Sequence, residues 1–245
     1  MSLPRFYCPN ILAPGAVVSL PPNAAAHASR VLRLKAGDEA VLFNGDGHDY
    51  ACEFIGFQKN NVTAKIRSIQ PNNNESLLQI TLAQAISSGD RMDFTLQKAV
   101  ELGVTAIQPI ASKRSVVKLD GERAEKRREH WQNVVISACE QSGRSWVPQV
   151  ALPLSLPAWL AQGAVFSCKL TMSPIADATL HDLPPPAGEI CLLIGSEGGL
   201  TEDEITMASN QGFKSIKLGR RILRTETAPL AAIAAMQTLW GDFKQ

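Results

Sequence analysis

Residues 193–199 read Leu193-Ile194-Gly195-Ser196-Glu197-Gly198-Gly199, so a glycine loop directly follows an apolar strand at residues 189–194. Thr201 comes next and Glu204 stands three residues later, a spacing typical of a capping box at the start of a helix. Strand, loop and helix in this order predict an α/β domain with a parallel sheet. Glycines here allow positive φ and close backbone approach by a ligand. The same pattern also suits a tight turn without a ligand.

A second loop of this kind follows the apolar strand at residues 213–218. It reads Gly219-Arg220-Arg221-Ile222-Leu223-Arg224-Thr225-Glu226-Thr227 and enters a helix at residues 228–240. This helix is apolar almost all round and should be buried, so the charges before it need partners, a ligand or both. A third loop, Ser173-Pro174, follows the strand at residues 165–172. Because ligands of open parallel sheets lie beyond the carboxyl ends of the strands, we expect one site at the three loops.

The pattern of predicted elements changes at the polar segment 71–76, from short strands and turns to alternating strands and helices. This change divides the chain into domains at residues 1–72 and 73–245. Short strands and turns before it predict a small β-barrel, with one helical insertion at residues 22–32. The strands are expected at residues 5–8, 17–20, 40–43, 49–57 and 62–69. After the boundary, a strand at residues 78–86, a helix capped by Asp90 and stopped by Gly103, and a strand at residues 106–110 form a β-α-β unit.

The chemistry of the glycine loop argues against a nucleotide polyphosphate. The loop lacks the lysine of a GxxxxGKS or GxxxxGKT motif and the spacing of GxGxxG, and Glu197 with the acidic residues after Thr201 would repel phosphates. We therefore expect a neutral or cationic ligand. The whole chain has 24 Lys+Arg against 23 Asp+Glu, a net charge of +1, so any basic surface is local.

The five cysteines and four histidines are dispersed, and no spacing typical of a metal site connects them. We expect buried free thiols and no bound metal. The chain begins without the pattern of a signal peptide, and no apolar stretch is long enough to cross a bilayer. The expected location is the cytoplasm.

The two loops together resemble the paired signature of the SPOUT methyltransferases. More narrowly, they are similar to the bacterial 16S ribosomal RNA uracil-N3 methyltransferase family. Further stretches support this resemblance across nearly the whole chain: Gly89-Asp90-Arg91-Met92, Gln97-Lys98-Ala99-Val100-Glu101-Leu102-Gly103-Val104, Glu140-Gln141-Ser142-Gly143-Arg144, and Val31-Leu32-Arg33 with Gly37-Asp38. The chain departs from the family pattern at Ser196, where the family usually has proline, and at Leu200, where it prefers phenylalanine.

The resemblance implies a fold, a cofactor and partners. The N-terminal barrel would resemble the PUA domain and bind RNA. The C-terminal domain would be a trefoil-knotted α/β catalytic domain that forms a homodimer and binds S-adenosylmethionine. The target would be the uridine at position 1498 of the small-subunit RNA, presented as RNA or within the assembled small subunit. Cofactor contacts are expected from Thr171, Met172, Ile194, Gly195, Glu197, Gly198, Leu218, Gly219, Ile222, Leu223 and Thr225.

The reaction itself suggests roles for two residues of the second loop. Uracil N3 carries a proton that must leave, and the resulting anion must be stabilised. Glu226 is a candidate proton acceptor and Arg224 a candidate stabiliser of O2 or O4; alternatively, the pair only fixes the loop. Candidate RNA contacts are Arg5, Arg30, Arg33, Lys113, Arg114 and Arg144.

Two other functions compete with this interpretation. The first is a Rossmann-type nucleotide-binding enzyme, which the missing lysine and the missing GxGxxG spacing disfavour. The second is a non-catalytic RNA-binding protein with a degenerate second domain, which the intact second loop disfavours.

Overall fold

The computed structural model describes residues 3–58, 61–115 and 121–243. The chain forms two compact units: Met1–Glu75 with Ile136–Val147, and Ser76–Val135 with Pro148–Gln245. Residues 136–147 belong to the N-terminal unit although they lie beyond the domain boundary expected from the sequence. No helix in the described ranges is both long and apolar enough to cross a membrane.

The N-terminal unit is built on one mixed sheet. Its strands are β1 (Arg5–Tyr7), β2 (Val17–Ser19), β3 (Glu39–Phe43), β4 (His48–Gln58) and β5 (Asn61–Pro71). The order is β1-β3-β4-β5-β2, in which β1 and β3 are parallel and the other neighbours antiparallel. All five predicted strands are confirmed to within a few residues. No pairing joins β1 to β2 among the described residues, so hydrogen bonds do not close the expected barrel.

The helical insertion of this unit has an irregular end. Helix α1 (Pro22–Ala26) continues into a π-helical turn at His27–Val31. Arg33, just beyond it, has φ +56° and is the single non-glycine residue with positive φ in the described part of the chain. Such a backbone conformation is uncommon for a residue with a side chain. Arg33 is exposed and follows a bend at Leu32.

The C-terminal unit contains a parallel sheet of seven strands. They are β6 (Ile80–Ala85), β7 (Ala106–Ala111), β8 (Gln149–Val150), β9 (Leu154–Ser155), β10 (Cys168–Met172), β11 (Ile190–Ile194) and β12 (Lys214–Ile216). The order is β12-β10-β11-β6-β7-β8, and β9 also pairs with β7. Strands β12, β10 and β11 are therefore neighbours. Because they are parallel, the loops that follow them leave the same edge of the sheet.

Within the described ranges, five α-helices follow or separate these strands: α2 (Arg91–Glu101), α3 (Gly121–Ser142), α4 (Leu156–Ala161), α5 (Glu202–Asn210) and α6 (Thr227–Trp240). The capping box of α5 is confirmed, since Thr201 N donates to Glu204 Oε2 at 2.8 Å and Glu204 N donates to Thr201 Oγ1 at 3.3 Å. The expectation for Asp90 is wrong in one respect. It occupies the N-cap position of α2, but its side chain makes no capping hydrogen bond. Helix α2 ends before Gly103, whose φ is +90°.

Helix α6 is buried along one face only. Ala232, Ile233 and Met236 are fully buried, whereas Ala231, Ala234 and Ala235 are half-buried. The helix packs against α2 and β11. Gln237 fixes this packing, because its Nε2 donates to the Leu102 carbonyl at 3.0 Å. The expected burial of this apolar helix is therefore confirmed for one face.

Candidate active site

The three loops expected to form a site enclose one cavity of about 510 Å³. Ten of the eleven residues expected to contact the cofactor line it: Met172, Ile194, Gly195, Glu197, Gly198, Leu218, Gly219, Ile222, Leu223 and Thr225. Thr171 does not line the cavity. It is buried in β10, where its hydroxyl donates to the Leu193 carbonyl at 3.0 Å and so links β10 to β11.

The glycine loop is folded closely on itself. A Cβ at Gly195 would lie 2.7 Å from Gly199 C and 2.7 Å from Leu200 N, and Gly199 adopts φ +70°. Gly199 N also donates to the Ser196 carbonyl at 2.8 Å. The close backbone approach that these glycines allow is therefore made by the loop itself, and a side chain at Gly195 would displace the loop.

Thr225 ties the last loop to the glycine loop. Its hydroxyl donates to the Gly195 carbonyl at 2.7 Å and accepts from Gln84 Nε2 at 3.2 Å. Thr225 is 8% exposed and Gln84 is fully buried. Two walls of the cavity are thus held by one buried side chain.

The charges at the cavity differ from the acidic site that the sequence suggested. Arg114, Arg221 and Arg224 line it, together with one carboxylate, Glu197. None of the three acidic residues in the first turn of α5 lines the cavity. Two of them contact Lys113 instead: Lys113 N donates to Glu204 Oε1 at 2.7 Å, and Lys113 Nζ lies 2.8 Å from Asp203 Oδ2.

Glu197 is held in its ionised form. Ser88 donates to Glu197 Oε1 through its backbone N at 2.8 Å and through its hydroxyl at 2.7 Å, and Arg91 Nη1 lies 3.2 Å from the same oxygen. Burial alone would raise the pKa of Glu197, but these hydrogen bonds and the Arg91 charge lower it below its ordinary value of 4.5. The carboxylate is a fixed negative charge at the rim of the cavity.

A second cavity of about 290 Å³ adjoins the first. It is lined by Arg91, Glu197, Arg224, Thr225 and Glu226, of which Glu197, Arg224 and Thr225 also line the larger cavity. Arg224 and Glu226, the two candidate catalytic residues, therefore come together here. Arg91 was not among the site residues expected from the sequence. Its signal was present, because Gly89-Asp90-Arg91-Met92 was among the stretches that carry the family resemblance.

The six candidate RNA contacts fall into two groups. Arg30, Arg33, Lys113 and Arg114 are exposed, and Arg114 also donates to the Gly198 carbonyl at 2.7 Å. Arg5 and Arg144 are internal to the N-terminal unit. Arg5 pairs with Asp49 at 2.8 Å, and Arg144, whose side chain is 5% exposed, pairs with Glu75 at 2.6 Å. Both side chains are therefore already engaged in ion pairs within the unit.

The cysteines form no second site in the described ranges. All five are free, and Cys8, Cys52, Cys139 and Cys191 are buried. Burial raises the pKa of Cys52 and of Cys139 to about 12, so these thiols are protonated at neutral pH. No group of three or more His, Cys, Asp or Glu side chains in the described ranges is arranged to hold a metal ion.

Comparison with known proteins decides the family. A model of the RNA methyltransferase domain matches residues 73–237, and a model of the RNA methyltransferase PUA domain matches residues 20–67. A ribosomal RNA small subunit methyltransferase E of Buchnera aphidicola subsp. Schizaphis graminum (strain Sg) is 38% identical over 240 residues, which cover 98% of either chain. The chain belongs to the ribosomal RNA small subunit methyltransferase E family.

Two further members of the methyltransferase E family are similar to this chain over most of its length. The protein of Bacillus subtilis (strain 168) is 34% identical over 229 residues, covering 88% of this chain and 89% of that relative. The crystal structure of the Neisseria gonorrhoeae protein, bound to S-adenosyl methionine, superposes with a TM-score of 0.92 at 49% identity and covers 99% of this chain and 100% of that one. The chain is an S-adenosylmethionine-dependent RNA methyltransferase. The Rossmann-type nucleotide-binding enzyme and the non-catalytic RNA-binding protein are both excluded.

The cavity of this methyltransferase fits the cofactor. Ile194, Leu218 and Leu223 supply apolar wall, and Glu197 supplies a negative charge for a cationic ligand. Ser196 lines the same cavity, and its buried hydroxyl oxygen has no hydrogen-bond partner within the described part of the chain. A buried hydroxyl without a partner is costly, so a polar ligand atom at this wall would satisfy it. The residues present suit a ligand with an apolar body and charged ends.

Proposed function

We propose that this enzyme transfers a methyl group from S-adenosylmethionine to N3 of the uridine at position 1498 of 16S ribosomal RNA in the small subunit. The observation that carries the proposal is the pair of adjoining cavities. One suits the cofactor, and the other brings Arg224 and Glu226 to its side. The names of the relatives, which are small-subunit ribosomal RNA methyltransferases, support the same substrate.

The cofactor contacts follow from the larger cavity. We propose that S-adenosylmethionine is held by Met172, Ile194, Gly195, Glu197, Gly198, Leu218, Gly219, Ile222, Leu223 and Thr225. Thr171 stabilises the strand behind them. When bound, the cofactor supplies the electrophilic methyl group of a sulfonium. Ile194, Leu218 and Leu223 would exclude water from it, and Thr225 keeps the two loops together.

Glu226 and Arg224 supply the chemistry for a neutral uracil. Glu226, whose side chain is 18% exposed, accepts the N3 proton, and Arg224 stabilises the negative charge that then spreads to O2 and O4. Both side chains line the smaller cavity, and Arg224 reaches both cavities. This position is consistent with a donor that acts where the base meets the cofactor.

RNA contact is proposed for Arg30 and Arg33 in the PUA-like domain, residues 1–72, and for Lys113 and Arg114 in the catalytic domain, residues 73–245. All four side chains are exposed, and basic side chains on a nearly neutral protein provide local attraction for phosphate. Arg5 and Arg144 are left out, because both are engaged in internal ion pairs.

Three further features belong to this proposal. A trefoil knot in the catalytic domain is supported by the path of the chain after β12: Thr225 contacts the loop after β11, and α6 then packs on α2 and β11. A homodimer is supported by the half-buried apolar face of α6 at Ala231, Ala234 and Ala235. The cytoplasm is the expected location of an enzyme that acts on ribosomal RNA.

Primer extension tests the proposed function. Small subunits from bacteria lacking the modification are incubated with the enzyme and S-adenosylmethionine, and the 16S RNA is then reverse transcribed. Methylation of N3 blocks base pairing, so we expect a new stop next to position 1498. Equal read-through with and without the enzyme would contradict the proposal.

A further inference from the structure

We propose that Arg91, Glu226 and Arg224 together read the pairing edge of the target base and distinguish uracil from cytosine. This inference rests on the proposed function, because it concerns the base bound in the smaller cavity. It adds Arg91 to the site and assigns it a direct contact with the base.

The first support is the position of Arg91 between two carboxylates. Its Nη1 lies 3.2 Å from Glu197 Oε1, and its Nε lies 3.9 Å from Glu226 Oε1. The Ser88 hydroxyl, 3.1 Å from Nη1, helps to hold it. A guanidinium has five N–H donors, and the Arg91 side chain is 44% exposed. Donors therefore remain for a ligand.

The second support is the set of charged groups that line the smaller cavity. Two arginines, Arg91 and Arg224, and two carboxylates, Glu197 and Glu226, line it together. Glu197 Oε1 is already engaged by Ser88 and Arg91, so Glu226 is the carboxylate assigned to the base. Arginine only donates hydrogen bonds and an ionised carboxylate only accepts them. The cavity can thus offer donor, acceptor and donor groups to one flat ligand.

Uracil matches this set and cytosine does not. The pairing edge of uracil presents O4 and O2 as acceptors on either side of the N3–H donor. Cytosine has an amino donor at position 4 and an unprotonated N3. In the same pose, its amino group would face an arginine and its N3 lone pair would face the Glu226 carboxylate. A site with mismatched buried donors and acceptors discriminates strongly against the wrong ligand.

The test measures base preference. Small subunits carry either uridine or cytidine at the target position, and single-turnover methyl transfer is followed for wild type, Arg91→Gln and Arg224→Gln. A glutamine side chain can both donate and accept a hydrogen bond. In place of the arginine that faces position 4 of the base, it could accept from the cytosine amino group, which an arginine cannot do. We expect at least one variant to raise the rate on cytidine, and through that gain to lower the uridine-to-cytidine rate ratio by roughly 10- to 100-fold. Calorimetric affinity for S-adenosylmethionine and the melting temperature should stay close to wild type.

Two control variants distinguish recognition of the base by Arg91 from structural support of Glu197. Arg91→Lys keeps a donor without an acceptor and should retain the uridine preference. Arg220→Gln removes a charge from the last loop at a residue that lines neither cavity, and it should retain both rate and ratio. A rate on cytidine that rises in neither glutamine variant, even with a lower rate on uridine, would overturn the inference and leave Arg91 as a support for Glu197. A wild-type enzyme that leaves the uridine unmethylated would overturn the proposed function and this inference with it.

Discussion

The Thr225 hydroxyl donates to the Gly195 carbonyl at 2.7 Å and thereby joins the loop after β12 to the loop after β11. The same oxygen accepts from Gln84 Nε2, which comes from β6. One buried hydroxyl therefore connects three segments that are far apart in the sequence. Both loops line the cofactor cavity, so this connection holds two of its walls together.

Thr225→Val should weaken cofactor binding while preserving the fold. The substitution keeps the volume of the side chain but removes the hydroxyl, so the Gly195 carbonyl loses its donor, at a cost of about 1–3 kcal/mol. We expect affinity for S-adenosylmethionine, measured by calorimetry, to fall about tenfold or more. Thr227→Val, at an exposed residue two positions later, is the control. Equal affinities for both variants and wild type would show that the hydroxyl does not position the loops.

Arg224→Ala should lower kcat about 100- to 1,000-fold with little change in cofactor affinity, because its charge acts mainly on the anion formed in the reaction. Single-turnover methylation of unmodified small subunits measures the rate, and calorimetry measures the affinity. Arg220→Ala removes a charge from the same loop outside both cavities. Wild-type turnover by Arg224→Ala would remove it from the chemistry.

Glu226→Gln tests proton acceptance through the pH profile. An amide cannot accept the N3 proton, so the slow residual rate should rise from neutral to alkaline pH as hydroxide replaces the carboxylate. Glu202→Gln, at an exposed position in the first turn of α5, should keep the wild-type profile. A loss of cofactor affinity at every pH, without a change in the shape of the profile, would instead identify Glu226 as a residue that fixes the loop.

Glu197→Gln should reveal a contribution to stability that depends on pH. In the folded protein the pKa of Glu197 is lowered below 4.5, so its stabilising contribution is fully present above that value and is lost as the pH falls through the folded-state pKa. Urea unfolding of wild type and variant should therefore differ at about pH 6 and converge towards about pH 3. A difference that grows on acidification would contradict the assigned direction of the shift.

Ala234→Glu should disrupt the proposed homodimer, because it puts a charge on the half-buried apolar face of α6. Sedimentation of the full chain is the measurement. The full chain is required, since residues 136–147 belong to the N-terminal unit and a fragment starting at residue 73 would lose their partners. Ser209→Glu, exposed on α5, is the control. A monomeric wild type at micromolar concentration would contradict the dimer.

Local patterns were sufficient to predict much of the fold. The capping box at Thr201, the strand before Gly195 and the strands of the N-terminal sheet follow from residues close together in the chain, and the structure confirms them. The three loops converge because parallel strands end at one edge, which is a general property of such sheets.

Long-range contacts could not be read in the same way. Residues 136–147 join the N-terminal unit through pairs such as Tyr7 N with Glu140 Oε1 at 2.9 Å and Asn72 Nδ2 with the Gly143 carbonyl at 2.9 Å. No spacing in the sequence indicates such pairs. The same limit explains why Arg144 looked like an RNA contact although it forms an ion pair with Glu75.

Nucleoside analysis of the product tests the central claim most directly. Small subunits lacking the modification are methylated with isotopically labelled S-adenosylmethionine, the 16S RNA is digested to nucleosides, and the labelled product is separated by chromatography and identified by mass spectrometry. We predict that the label is found in 3-methyluridine and in a fragment that contains position 1498. Label in a ribose methyl group, in a methyl group at another ring position of uracil or in a different fragment would contradict the account.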